Sequence, residues 1–182
     1  MTTTLVLGGV RSGKSRHAEA LMGQGPVTYI APGRPANDSD PEWAARVREH
    51  QARRPASWTT LETRDLASAI GGATQAVLVD CLGVWLARVL DECDGWTDPE
   101  VGAQVLARAG EELLAAWRAA PTEVVLVSNE VGLGVVPATP SGRLFRDELG
   151  RLNAALSAAA DRVHLVVAGR VLDLSAAPVV GE

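Results

Sequence analysis

Lysine is nearly missing from this chain. Of its 17 basic residues one is lysine, Lys14, and the rest are arginine. A protein that uses arginine everywhere else has a reason to keep one ammonium: a compact point charge on a flexible stem can follow a phosphate as it moves, whereas guanidinium is a planar fork of fixed geometry. Cysteine is scarce too. Cys81 and Cys93 stand alone, with no Cys-x-x-Cys and no Cys/His pair at zinc spacing, which excludes a disulfide framework and a structural metal site and leaves both as packing residues. No apolar run approaches the roughly 20 residues that span a bilayer. The opening "MTTTLVLGGV" has neither a basic n-region nor a long apolar h-region, so no signal peptide and no membrane insertion are expected, and the expected location is cytoplasmic. Positive charge is in short supply overall: a net charge of -5 argues against a nucleic-acid binder, and an anionic ligand would need a locally basic site.

What is present reads as an enzyme-sized globule. With 182 residues, 47% of them hydrophobic, the chain suits one domain spanning 1–182. Apolar, β-branched runs alternate with alanine-rich stretches: Thr4 to Gly8, Val27 to Ala31, Ala76 to Leu82, Glu123 to Asn129 and Arg162 to Gly169 are five candidate strands. Nearly continuous apolar runs suit strands covered on both faces, so the expected fold is a three-layer α/β domain with a mostly parallel central sheet. "SWTTLE" adds a candidate strand and "VLDLS" a candidate edge strand. Helices are expected over Ser15 to Met22, Glu42 to Arg53, Asp65 to Ile70, Leu82 to Asp91, Pro99 to Ala119 and Gly142 to Ala160. Ser39, Asp40 and Pro41 lead into the second, and Thr97, Asp98 and Pro99 into the fifth, with proline suited to a first turn.

The lone lysine lies in "GGVRSGKS", Gly8 to Ser15, a full G-x-x-x-x-G-K-[ST] match placed directly after a strand and before a helix. In such a loop Gly8, Gly9, Val10, Arg11, Ser12 and Gly13 wrap their backbone around phosphates, and the following helix presents its positive end. Lys14 then reaches the β- and γ-phosphates, and the Ser15 hydroxyl belongs to the shell of Mg²⁺. Asp80 ends the apolar run "AVLVD" as a Walker B carboxylate does, which makes it a second metal ligand; the competing reading is an N-cap for the helix beyond it. Asn129 and Glu130 end another strand, where ligands gather, although Asn129 also reads as a satisfied loop residue.

Of three histidines, His17 and His164 fall in a helix and an apolar strand and read as packed, hydrogen-bonded residues. His50 sits in "EWAARVREHQARRP", where Arg46, Arg48, Arg53 and Arg54 crowd one helix and its exit. Residues three or four apart share a helix face, and cations gathered there repel unless an anion joins them. A solvated basic helix with a surface histidine is the plain alternative.

Taken together, "GGVRSGKSRHAEAL", "YIA", "EWAARVREHQARRPASWTTLE", "LVDCL", "VVLVSNEVGLGVVP", "RLFRDELGRLN" and "AADRVHLVVAG" resemble the bifunctional adenosylcobinamide kinase/adenosylcobinamide-phosphate guanylyltransferase family over nearly the whole chain. The resemblance implies a RecA-like P-loop NTPase fold and two reactions. In one, a nucleoside triphosphate, ATP or GTP, phosphorylates the aminopropanol hydroxyl of adenosylcobinamide. In the other, the residue matching His50 attacks the α-phosphate of GTP, and the guanylyl group passes to adenosylcobinamide phosphate. It also implies phosphate contacts from Arg46, Arg53 and Arg54, nucleotide contacts from Gln51 and from Ala31, Pro32 and Gly33, a guanine contact from Glu62, a metal role for Asp80, and a homo-oligomer, a trimer. Many members read Ala-Thr-Ala after the second strand where this chain has "APGRPANDSDP", and Trp43 stands where methionine is common. Two alternatives set against this reading are a monofunctional P-loop kinase in which His50 is inert, and a nucleotide-dependent switch with no small-molecule substrate.

Overall fold

The computed structural model describes residues 1–34 and 41–181 and, in the helix that begins at Pro41, all side chains except those of Glu42, Trp43 and Arg46. Among the described residues the strands are β1 (Thr3–Gly8), β2 (Val27–Ala31), β3 (Thr59–Glu62), β4 (Ala76–Asp80), β5 (Val124–Asn129), β6 (Arg162–Val167) and β7 (Arg170–Asp173). They form a seven-stranded sheet in the order β3-β2-β4-β5-β1-β6-β7. All neighbours run parallel except β7, which folds back antiparallel on β6 at the edge. The helices are α1 (Lys14–Leu21), α2 (Pro41–Arg53), α3 (Leu66–Gly71), α4 (Leu82–Glu92), α5 (Pro99–Arg118) and α6 (Pro140–Ala159).

The period of two along each strand sorts the core into two layers. Leu5, Leu7, Val77, Val79, Val124 and Leu126 face one side, against Leu66 and Ile70 of α3, Trp85 and Leu86 of α4, Leu113 and Trp117 of α5, and Leu149 and Leu156 of α6. Val6, Leu78, Val125 and Val127 face the other, against Ala18 and Met22 around α1. A parallel sheet needs both faces covered, and these apolar strands get it. Fully burying one such leucine is worth about 1.5–3 kcal/mol.

Where boundaries differ from the sequence reading, local chemistry explains it. The run Ala76 to Leu82 ends as a strand at Asp80, because Leu82 opens α4 and is fully buried there. α6 starts at Pro140 rather than Gly142, since the Thr139 hydroxyl accepts the Gly142 N–H at 3.1 Å and proline takes the first turn. Asp98 caps α5 as expected, accepting from the Glu100 and Val101 N–H groups. Ser39 and Asp40, the expected lead-in to α2, lie outside the described residues, as does most of the loop before them.

The topology decides where ligands go. With β5 between β1 and β4, the carboxyl ends of the P-loop strand and of the acid strand flank a third strand end, and α1 and α4 leave from the same edge of the sheet.

Candidate active site

A cavity of about 650 Å³ opens above these strand ends. Gly8 begins its floor. A Cβ on Gly8 would stand 2.5 Å from the Ser12 Oγ and 2.7 Å from the Val166 carbonyl, so the loop can turn back over β6 only without a side chain there. Gly13 takes φ 98° as the loop becomes α1. The turn is pinned by Ser12 N–H to Gly9 O at 3.3 Å and Gly169 N–H to Ser12 O at 3.0 Å. Lys14 Nζ bends back to the Gly9 carbonyl at 3.3 Å, across the mouth of the loop. Val10, Arg11, Ser12, Gly13, Lys14 and Ser15 line the cavity, with Gly8 and Gly9 supporting them.

Opposite stands Asp80. Its Oδ2 is 3.4 Å from His50 Nδ1 and accepts the Tyr29 hydroxyl at 3.3 Å. Burial pushes the carboxyl up, but the hydrogen bond and charge of His50, the Ser15 hydroxyl and the Lys14 ammonium outweigh it and hold the group below the usual carboxylate range. Asp80 is therefore an anion at neutral pH. It does not cap the next helix: the N-cap of α4 is Cys81, which makes no side-chain cap bond. Burial, then the Asp80 charge, pushes the Cys81 thiol up to about 11, so it remains a thiol, donating to Asn129 Oδ1 at 3.4 Å. Burial, then Asp80, likewise raises the Tyr29 phenol, against the opposing pull of Arg54.

The basic helix divides its cations. Arg54 lays its guanidinium 3.5 Å over the Tyr29 ring, which also stacks on Trp58, and donates to Thr60 Oγ1 at 2.9 Å. Among the described residues its buried Nε has no hydrogen-bond partner. Arg53 points to another anion: Nε and Nη2 grip the Glu19 carboxylate of α1 at 3.2 and 3.0 Å, and Nη1 meets Glu49 at 3.4 Å. The shared helix face thus resolves into a link to α1, a stacked platform and a histidine on the acid. Gln51, Glu62, Ala31 and Gly33 line the same cavity, Glu62 from the exposed strand β3. Pro32 stands behind it, where its carbonyl and that of Gly33 accept from Arg88 at 3.4 and 3.1 Å. The Arg46 side chain lies outside the described residues. His17 and His164, expected to be packed and hydrogen-bonded, bond each other across α1 and β6 at 2.9 Å.

Tyr29, Glu19 and Arg88 escaped the sequence reading. A signal existed for Glu19, which lies four residues after Ser15 and so on the same face of α1. Tyr29, the one tyrosine, looks in sequence like any buried strand residue. Among the described residues no three His, Cys, Asp or Glu side chains gather as a metal site on their own, so any cation here depends on other donors such as a hydroxyl or phosphates.

Against known proteins, the chain matches a family model described as cobinamide kinase / cobinamide phosphate guanyltransferase over residues 4–174. It is 44% identical over 180 residues to the bifunctional adenosylcobalamin biosynthesis protein CobU of Salmonella typhimurium, covering 91% of this chain and 95% of that protein. To CobU of Escherichia coli it is 41% identical over 175 residues, covering 91% and 95%. To the bifunctional adenosylcobalamin biosynthesis protein CobP of Pseudomonas aeruginosa it is 43% identical over 180 residues, covering 96% and 98%.

Proposed function

The chain belongs to the cobinamide kinase / cobinamide phosphate guanyltransferase family, and from that membership we propose how its residues carry out the two reactions. It is a bifunctional enzyme of cobalamin biosynthesis: it phosphorylates adenosylcobinamide on the aminopropanol hydroxyl, then transfers GMP from GTP to give adenosylcobinamide-GDP.

For the kinase half, the loop Gly8 to Gly13 wraps the phosphates of ATP or GTP with its N–H groups, and Lys14 exchanges the Gly9 carbonyl for the β- and γ-phosphates. Ser15 and Asp80 are the residues that would hold Mg²⁺. The donor set fits: a hydroxyl hydrogen-bonded to an ionised carboxylate, both hard oxygens, beside the lysine. Bound there, Mg²⁺ would neutralise charge on the β- and γ-oxygens.

For the transferase half, His50 is the nucleophile. Asp80 at Nδ1 fixes that nitrogen as the protonated one, leaving the Nε2 lone pair to attack the α-phosphorus of GTP. A bond forms from Nε2 to phosphorus, the bond to the bridging oxygen breaks, and pyrophosphate leaves. The imidazole becomes cationic, and the Asp80 carboxylate offsets that charge. A phosphate oxygen of adenosylcobinamide phosphate then displaces the imidazole, which leaves neutral. Arg46 and Arg54 serve as phosphate ligands in this reading, and Arg53, to which the family resemblance gives the same role, would reach a phosphate only by releasing Glu19. Gln51 and the segment Ala31 to Gly33 serve as nucleotide contacts, and Glu62 as the acceptor for guanine N–H groups. The reactions are placed in the cytoplasm, a reading that the two free cysteines suit. Among the described residues no helix is long and apolar enough to cross a membrane. The assembly is a homo-oligomer, a reading that the exposed Leu133, Val135 and Val136 support, and the trimer rests on the family resemblance alone.

The observation that carries the transferase half is the His50–Asp80 contact at the mouth of the phosphate loop. Its test is incubation with Mg²⁺ and GTP labelled at the α-phosphate, followed by denaturation. Wild type should retain acid-labile label and His50→Ala none. Label of equal amount on His50→Ala, or none on folded, nucleotide-binding wild type, removes the histidine intermediate.

A further inference from the structure

The strand that separates the P-loop strand from the acid strand ends in Asn129, level with Gly8 of β1. Its main chain is held on two sides. The Asn129 carbonyl accepts from Asn153 Nδ2 at 3.0 Å, while Asn153 Oδ1 accepts the buried Ser128 hydroxyl at 2.6 Å. The following N–H, of Glu130, donates to the Gly8 carbonyl at 3.2 Å, tying this strand end to the first residue of the phosphate loop. The oxygen end of the carboxamide is occupied as well: Oδ1 accepts from the Cys81 sulfur and lies against Gly83, where a Cβ would stand 2.9 Å away.

The amino end has no such engagement. Among the described residues none accepts from Asn129 Nδ2, yet the side chain lines the same cavity as Lys14, Ser15 and Asp80. A carboxamide whose backbone and acceptor are both fixed, with two N–H donors left toward a phosphate site, is a pre-organised donor.

We propose that Asn129 is a catalytic residue of the phosphoryl transfer, its Nδ2–H group donating to an oxygen of the γ-phosphoryl group as that group moves from the nucleotide to the corrinoid's hydroxyl. In that step the bond from the γ-phosphorus to the bridging oxygen breaks, and the bond from the hydroxyl oxygen forms. The nucleoside diphosphate leaves with the bonding pair, and the hydroxyl proton passes to water. The equatorial oxygens gain their charge near the end of β5, between the lysine on one side and Asp80 on the other, and Asn129 supplies a fixed neutral donor there. This role rests on the nucleotide placement proposed above.

Three variants test it in the full-length enzyme with Mg·ATP and adenosylcobinamide, each checked for folding by its thermal transition. Asn129→Ala deletes the donor. Asn129→Asp keeps the shape but presents an acceptor and a negative charge to the phosphate. Gly83→Ala leaves Asn129 in place and pushes its carboxamide aside, at a helical position where alanine is intrinsically the better residue. All three should lower kcat for phosphorylation by about tenfold or more, the scale of losing one donor to developing charge, with the nucleotide Kd of Asn129→Ala and of Gly83→Ala within about threefold of wild type and that of Asn129→Asp raised by its added charge. Turnover of Asn129→Ala within twofold of wild type overturns the proposal. So does a loss matched by equal weakening of nucleotide binding, which would make Asn129 a ground-state ligand. If Asn129→Ala does not fold, Gly83→Ala takes its place, and turnover of that variant within twofold of wild type overturns the proposal equally. Lys14→Ala is the control for the placement: full turnover there refutes the nucleotide pose itself, whereas an inactive Lys14→Ala beside an active Asn129→Ala refutes only the role of Asn129.

Discussion

At the scale of single residues the site is economical, because several side chains answer to one carboxylate. Asp80 receives Tyr29 and His50 on the same oxygen and is hydrogen-bonded by Ser15. Its ionisation depends on His50, Ser15 and the Lys14 ammonium overcoming the burial that opposes it, so each of these three is part of the acid's chemistry. Lys14 is the complementary case, a cation that must reach and not merely sit. In a chain that otherwise relies on arginine, Lys14→Arg looks conservative, yet a planar fork cannot follow the γ-phosphate through a loop that closes on Gly9. Phosphorylation turnover should fall at least about tenfold, or roughly 1.4 kcal/mol of barrier. Steady-state kinetics at saturating nucleotide reads this directly, and unchanged turnover would make the lone lysine an accident of composition.

At the scale of elements, α2 matters most, since it brings His50 to the acid. Its last turn is fastened by the two-pronged Arg53–Glu19 pair to α1 and by Arg54 on the Tyr29 ring. The Arg53 and Glu19 side chains are 26% and 14% exposed, sheltered enough for the pair to be worth more than a surface contact. Glu19→Ala should cost about 1.5–3 kcal/mol of local stability, the usual worth of hydrogen bonds to charged groups. Hydrogen exchange should show the α2 amides opening at least about tenfold more often, while those of α5, packed through Leu113 and Trp117, stay as they were. Exchange unchanged in α2 would mean that the stacked Arg54 alone holds the helix.

At the scale of the whole molecule, the two ends of the parallel sheet's chain path are joined by Asp161 and Thr3. The carboxylate accepts the Thr3 N–H at 2.7 Å and its hydroxyl at 3.0 Å, and Asp161 N–H returns a bond to the same hydroxyl at 3.1 Å. The Thr3 N–H, then its hydroxyl, lower the Asp161 carboxyl below the usual range. A depressed carboxyl stabilises the fold above its unfolded pKa, about 3.9, and that contribution is lost as pH falls through the lower folded value. The melting temperatures of wild type and Asp161→Asn should therefore differ by a constant amount from neutral pH down to about pH 5 and converge below about pH 4. A gap that persists in acid would show that the carboxylate's charge is not what joins the ends. Much of this architecture is legible in the sequence. Nearly continuous apolar, β-branched runs betray the strands, proline behind Asp98 marks a helix start, and "GGVRSGKS" announces its own turn, because each depends on neighbours within a few residues. The site is legible only as far as its motifs: Lys14, Ser15, Asp80 and His50 stand out by type and spacing. That Arg53 turns to Glu19, that Tyr29 and His50 share one oxygen of Asp80, and that Gly83 makes room for Asn129 are matters of tertiary structure. Those partners lie dozens of residues apart, and their distances are set by how the helices pack on the sheet, which no local pattern records.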